Sequence, residues 1–402
     1  MLADGIIFSK LDNDCWVLQT PQGRHIKIND ATADLLTVLQ QEPTLANATK
    51  AFNKRFKLNF NETTLLKLVE TKFGGLDILS DETYTKPYKK GQYLSLKIPL
   101  FNPRVSGFLA APFVWIFYGI RFWPIFLTMI CGLLLIIFLF PLQYYLELTI
   151  ENLFLFFIIV YPSVLIHELG HIAACRRFKV NHGEIGFGFY LLFPVLYADV
   201  TNIWMVEKQK RLIVNLAGVM NEFLYATIIF LFFLMTRLDV LMLAYYAIII
   251  KAFFELNPFL RLDGYWTLSD ITGTPNLLRK SNLLLKYALM GKLRKVKNEI
   301  SNKKNVRFWL ILYAILNNLI AIGYCYYIII THLQTIIAFP GILVELVAKC
   351  INLELNSSDF RPEYGLVFFF YIIVIKKLFT ILKNILENRG SDTKLGVVRM
   401  HV

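Results

Sequence analysis

Apolar positions follow two regimes along this chain. Up to about residue 82 they are spaced among polar residues. IIFSKL (6–11) and CWVLQT (15–20) read as short strands, and PQG (21–23) as a turn into RHIKI (24–28). Asn29 or Asp30 can N-cap a helix through Leu39, with Ala33, Leu35, Leu36 and Leu39 on its apolar face. Thr44 is placed to start a second helix ending near Phe56, and Thr63 a third ending near Phe73. GGLDIL (74–79) reads as a closing strand. Three strands followed by three short helices form a small winged-helix-like α+β pattern.

Beyond a polar segment, 83–104, with Lys86, Lys89, Lys90, Lys97 and Arg104, the apolar residues run together. FLAAPFVWIFYGI (108–120) is short for a crossing and suits an interfacial or re-entrant helix. Six runs near the twenty residues that a membrane helix needs follow, at about 123–145, 153–175, 212–236, 240–260, 308–331 and 364–386. The stretch 335–348 holds Pro340 and Gly341 and reads as interfacial. The expected organisation is a domain over 1–82, a linker with an interfacial helix over 83–122, and a mainly α, polytopic bundle of about six spans over 123–390.

Composition agrees with a membrane protein. Of 402 residues, 56% are hydrophobic and only 18% charged, against about a quarter charged in soluble domains. The net charge of +13 does not point to nucleic acid, because the basic residues cluster beside apolar runs. Arg176, Arg177 and Lys179 follow the second run, and Lys208, Lys210 and Arg211 precede the third. Segment 279–307 is strongly basic with one acid, Glu299, whereas the opposite loops carry Glu147, Glu151 and Asp239. These biases predict a multi-pass cell-membrane protein with both termini cytoplasmic. Asp4, Asp12 and Asp14 interrupt the first twenty residues, which argues against a cleaved signal peptide. Five cysteines at unrelated spacings predict no disulfide framework.

The chemistry concentrates in SVLIHELGHIAACRRF (163–178), at the end of the second run. His167 and His171 stand four apart, hence on one helical face, where two imidazoles can bind one zinc ion. Glu168 adjoins the first and can take a proton from a water. Polar residues of this kind at the end of an apolar span are costly unless they function. A polar cluster that only joins helices is the alternative.

A third ligand is needed. ELNPFLRLDGYW (255–266), at the end of the fourth run, resembles the second signature of the site-two protease family of intramembrane zinc metalloproteases. The resemblance implies that Asp263 is the third zinc ligand, with Asn257, Pro258 and Gly264 in matching places. Pro258 can break the helix and free the backbone to turn a carboxylate toward a neighbouring helix. NLAGVMNE (215–222) resembles the family's Gly-plus-Asn element through Gly218 and Asn221, although Val219 replaces the usual Pro. Asn221 and Asn257 are therefore substrate-contact candidates. For Asn221 a polar contact between helices fits equally. DGYWTLSDITGTPNLLRKS (263–281) is similar to the bacterial peptide zinc metalloproteases of this family. His182 reads as a loop histidine and Glu255 as a helix-end carboxylate.

GFGFYLLFPVLYADVTNIW (186–204) is apolar and glycine-punctuated, and can form a membrane-surface hairpin whose open edge takes an extended peptide. IKINDATADLL (26–36) with the strands before it resembles the PqqD-like domain, the leader-recognition element for ribosomally made, modified peptides. That resemblance implies a peptide site between strands 6–20 and helix 63–73. A helical cap without a ligand is the alternative. Together these point to a zinc metalloendopeptidase that processes a ribosomally made peptide or its leader, with an exporter or a peptide-modifying enzyme as partner. Two alternatives remain: cleavage of a membrane regulatory protein such as an anti-sigma factor, and a non-catalytic peptide-binding or export component.

Overall fold

Short polar side chains start the N-terminal helices by accepting bonds from free N–H groups of the first turn. Asn29 caps α1 (Asp30–Gln41) by accepting from the Thr32 N–H at 3.0 Å, and Thr44 caps α2 (Leu45–Phe56). The third helix, α3 (Glu62–Phe73), is capped by Asn61 rather than by Thr63, which lies inside the first turn. Before them, β1 (Ile7–Asp12), β2 (Cys15–Gln19) and β3 (His25–Ile28) form an antiparallel sheet in the order β1-β2-β3. Leu18, Leu36, Phe52, Leu65, Phe73 and Ile78 are buried between sheet and helices as one small core. Of the expected closing strand at 74–79, the described residues contribute a single bridge, Leu79 with Leu2.

The computed structural model describes residues 2–3, 5–12, 15–42, 44–74, 76, 78–79, 94–141, 150–190, 193–291, 304–352, 354, 359 and 361–391. The sequence-based linker is partly structured. Its residues Leu94–Phe101 are strand β4, which pairs with β5 (Ile185–Tyr190); β5 in turn pairs with β6 (Phe193–Ala198). The expected hairpin is therefore the second part of a three-stranded antiparallel sheet, and β6 is an edge strand of it.

The expected interfacial segment begins earlier than its apolar run. Asn102 caps α4 (Pro103–Ala110) by accepting from the Arg104 and Val105 N–H groups, and a 3-10 turn, Ala111–Ile116, follows. Then come α5 (Gly119–Leu139), α6 (Ile150–Arg177) and α7 (Lys208–Thr236). All three contain segments long and apolar enough to cross a membrane.

The next helix, α8 (Asp239–Glu255), has 17 residues. It rises about 26 Å, a little short of a hydrocarbon core about 30 Å thick. It stops where Asn257 and Pro258 turn the chain, and α9 (Asp263–Thr272) restarts it. Helices α6, α7 and α8 share a core that includes Ile172, Ala173, Ala217, Met220, Phe223, Tyr245 and Ile249. Small residues in that core let the α6 and α7 backbones approach closely.

The structure divides into two units, Met1–Pro275 and Asn276–Val402. In the second, α10 (Leu277–Leu289) precedes α11 (Lys304–Ile351) and α12 (Pro362–Ser391). The sequence reading separated a span at 308–331 from an interfacial piece at 335–348. The structure breaks Lys304–Ile351 at the same place: His332, at φ −128° and ψ 28°, is a non-helical kink where two helices meet, between the two expected pieces. Helices α11 and α12 pack through Ile328, Phe339, Val367 and Phe370. Within α12 an apolar helical segment covers Glu363–Ile375 among the described residues. Among the described residues, four helices meet the length and composition of a span: within α5, α6, α7 and α11.

Candidate metal centre

Helical spacing sets His167 and His171 one turn apart on α6, and both are buried. Their Nε2 atoms lie 3.2 Å from each other. Asp263 approaches from the first turn of α9: its Oδ2 lies 3.1 Å from His167 Nε2 and 3.3 Å from His171 Nε2. The sequence thus brings its three proposed ligands together across two helices. One donor atom from each lies within 4.8 Å of the others. Glu168 is buried beside His167 on the same helix.

Two features place Asp263. The chain after α8 folds back so tightly that a Cβ on Gly264 would lie 2.0 Å from the Leu256 carbonyl oxygen. Only glycine fits there. Seven residues after Asp263, Asp270 is buried and anchors α9 to α7. Its Oδ1 accepts from Arg211 Nε at 2.7 Å, and its Oδ2 from Asn215 Nδ2 at 2.8 Å. Arg211 also donates to the Val206 carbonyl at 2.8 Å. Both carboxylate oxygens are thereby satisfied, as a buried charge requires.

Helix α7 backs the histidines. His171 Nδ1 meets the Val214 carbonyl at 2.7 Å, which leaves Nε2 to face Asp263. His167 Nδ1 lies 3.3 Å from Glu222 Oε1, and Glu222 is ion-paired with Lys251 of α8. Sequence reasoning quoted the NLAGVMNE run without assigning Glu222, and did not use Lys251. The available signal was a charged residue inside each of two apolar helices.

The remaining candidates sit differently. Asn221 Nδ2 donates to the Ile166 carbonyl at 3.1 Å, so it joins α7 to α6 just before His167. Its Oδ1 is buried with no hydrogen-bond partner among the described residues. Asn257 Oδ1 accepts from the Phe259 N–H at 2.9 Å and shapes the turn. His182 lies beside Gly107 and Arg176 in a pocket of about 390 Å³, and is not one of the converging donors. Glu255 ends α8.

The sheet adjoins the centre. The Tyr190 hydroxyl, at the end of β5, accepts from the Arg261 N–H at 3.1 Å, two residues before Asp263. The 3-10 turn Thr201–Met205 after β6 touches the N-terminal sheet. Ser9 Oγ donates to the Met205 carbonyl at 2.7 Å, and Gln19 Nε2 to Asn202 Oδ1 at 3.2 Å.

Two imidazole nitrogens and a carboxylate oxygen form a donor set that zinc takes in hydrolytic sites, where a fourth position is left for water. Asp263 Oδ2 is buried with no conventional hydrogen-bond partner among the described residues and is aimed at both Nε2 atoms, which fits a ligand oxygen. The residues present therefore suit the metal.

Comparison with known proteins agrees. The sequence model of "Peptidase family M50" matches residues 155–386, more than half of the chain and all of the centre. The chain is also similar to the Bacillus subtilis (strain 168) protein named "Putative peptide zinc metalloprotease protein YydH". The two are 29% identical over 106 residues, which is 26% of this chain and 42% of that relative. The match thus spans less than half of the relative's length. No solved structure matches the chain. Residues 155–386 carry the family's match, and with it the centre on α6 and α9: this chain belongs to peptidase family M50, the membrane-embedded metalloproteases.

Proposed function

We propose that the chain is a zinc-dependent endopeptidase that cleaves a small ribosomally made peptide at the cytoplasmic face of the cell membrane. The observation that carries it is the convergence of His167 Nε2, His171 Nε2 and Asp263 Oδ2 at the end of a membrane-length helix. These three residues hold the zinc ion. A bound zinc ion supplies Lewis acidity, which lowers the pKa of a water and polarises a carbonyl. Glu168 takes the proton from the attacking water and later gives it to the leaving amine. The α6–α7–α8 packing keeps bulk water from the apolar side of the site.

Substrate enters as an extended strand along the outer edge of β6, because an extended peptide exposes its scissile carbonyl and a helix does not. The contact between Tyr190 and Arg261 sets one end of this sheet against the loop that carries Asp263. Asn221 Oδ1 is a buried polar atom of the same region and is available to a substrate amide. Residues 1–82 act as a PqqD-like domain that holds the leader. The three-stranded sheet, the three capped helices and the seat of β1 and β2 on the turn after β6 support this reading. An exporter or a peptide-modifying enzyme works with the chain. The chief alternative substrate is a membrane regulatory protein.

Glu168→Gln is the test. The purified full chain carrying it should bind zinc as the wild type does and cleave no peptide. Cleavage at the wild-type rate would overturn the role of Glu168. Absence of zinc from the wild-type chain would overturn the centre itself.

A further inference from the structure

Val214, Gly218 and Glu222 stand four apart on α7, so they share one face of that helix. All three meet the histidines of α6. The Val214 carbonyl takes His171 Nδ1. Gly218 lies against the His167 ring, where a Cβ would come within 2.5 Å of Nε2. Glu222 Oε1 lies 3.3 Å from His167 Nδ1. Each Nδ1 thus faces an oxygen of α7, a hydrogen-bonded backbone carbonyl at His171 and a carboxylate 3.3 Å away at His167.

Glu222 is an unusual residue for its place. It is fully buried in an apolar helix, where a carboxylate is costly unless it has a task. Lys251 of α8 pairs with the same Oε1. The 3.3 Å contact with His167 is longer than the 2.7 Å contact at His171 and falls outside hydrogen-bond geometry, and Lys251 shares the same oxygen.

We infer that Glu222 is the positioning residue of His167. Its carboxylate faces Nδ1 at 3.3 Å and favours the tautomer protonated there, whose Nε2 lone pair points to Asp263 and His171. Lys251 holds the carboxylate in register across three helices. Orientation of this kind is worth about 10- to 100-fold in metal affinity. The inference rests on His167 being a metal ligand, as proposed above.

The test uses the purified full chain in detergent, with zinc affinity read by competition with a chromophoric chelator. A single change at Glu222 or Lys251 strands the other charge, so the pair is replaced together. Glu222→Leu with Lys251→Met removes the acceptor and leaves no unpaired charge. It should weaken zinc roughly 10- to 100-fold. Glu222→Gln with Lys251→Met keeps a neutral acceptor and should recover most of that loss. A Glu222–Lys251 pair that only ties α7 to α8 predicts equal, wild-type zinc affinity in both doubles, and that result overturns the inference. Nitrogen NMR of the histidine-labelled wild-type chain gives a second reading that needs no variant. His167 should carry its proton on Nδ1, and a bare Nδ1 would overturn the proposal. His167→Ala separates the two readings. If it binds zinc as the wild type does, the ligand assignment itself fails. If it loses zinc while the Leu/Met double does not, only the role of Glu222 fails.

Discussion

A methyl group on the Cα of Gly218 would lie 2.5 Å from Nε2 of His167 and 2.6 Å from Cε1 of the same ring. Helix α7 can lie against the imidazole only because it has no side chain there. Gly218→Ala should therefore push the ring away from Asp263 and weaken zinc by roughly tenfold or more, a second-sphere effect in size. Gly132 of α5 is the control, because a Cβ there would meet nothing within 4 Å. Gly132→Ala should leave zinc binding intact and stabilise the helix by up to about 1 kcal/mol. Chelator competition and thermal melting read the two effects. Equal zinc affinity in both variants would show that the close approach does not set the ring.

Asp270 tests how α9 delivers Asp263. Arg211→Met leaves a buried carboxylate with Asn215 as its remaining partner, which should cost about 3–5 kcal/mol. Arg211→Met with Asp270→Leu removes both charges and should recover much of that stability. It still lacks the polar anchor between α7 and α9, so zinc affinity should stay low in the double variant. Recovery of stability together with full zinc affinity would mean that packing alone places Asp263.

Much of this was legible in the chain. The four-residue spacing of His167 and His171 predicts one face of one helix, the resemblance of residues 255–266 to the family's second signature implies Asp263 beside them, and the structure brings the three together. Local capping was legible to within a residue or two. Asn61 displaced Thr63 because both can cap and only the former stands outside the helix. Less legible was anything set by distant pairing. Residues 94–101 (LSLKIPLF) alternate apolar with other positions but fall within the polar segment 83–104 of the sequence reading, and they form β4 beside β5. The separate piece at 335–348 was legible, since the kink at His332 divides it from 308–331, although its helix runs through Pro340 and Gly341. Glu222 and Lys251 gain meaning only once α6, α7 and α8 are packed.

The contacts of Ser9 with Met205 and of Gln19 with Asn202 join the N-terminal sheet to the turn after β6. If residues 1–82 deliver a leader-bearing substrate, loosening this seat should affect delivery and spare chemistry. Ser9→Ala with Gln19→Ala should raise KM for a leader-bearing peptide several-fold and leave kcat, zinc affinity and turnover of a short leaderless peptide unchanged. Each lost neutral hydrogen bond is worth about 1 kcal/mol, or some fivefold in binding. An equal loss on both peptides would point to a structural role for the seat instead.

β6 offers the last prediction. It is an edge strand of the β4-β5-β6 sheet. A peptide that adds to an edge uses the N–H groups of alternate residues for the ladder and points the others away. Methylating single backbone nitrogens along a cleavable peptide should therefore raise KM at every second position on one side of the scissile bond. Each blocked ladder bond should cost about 1 kcal/mol, and the positions between should be nearly silent. The period identifies the binding mode without a bound structure, because a helical or side-chain-anchored substrate has no such alternation. A flat profile would remove strand addition at β6 and leave the metal centre untouched.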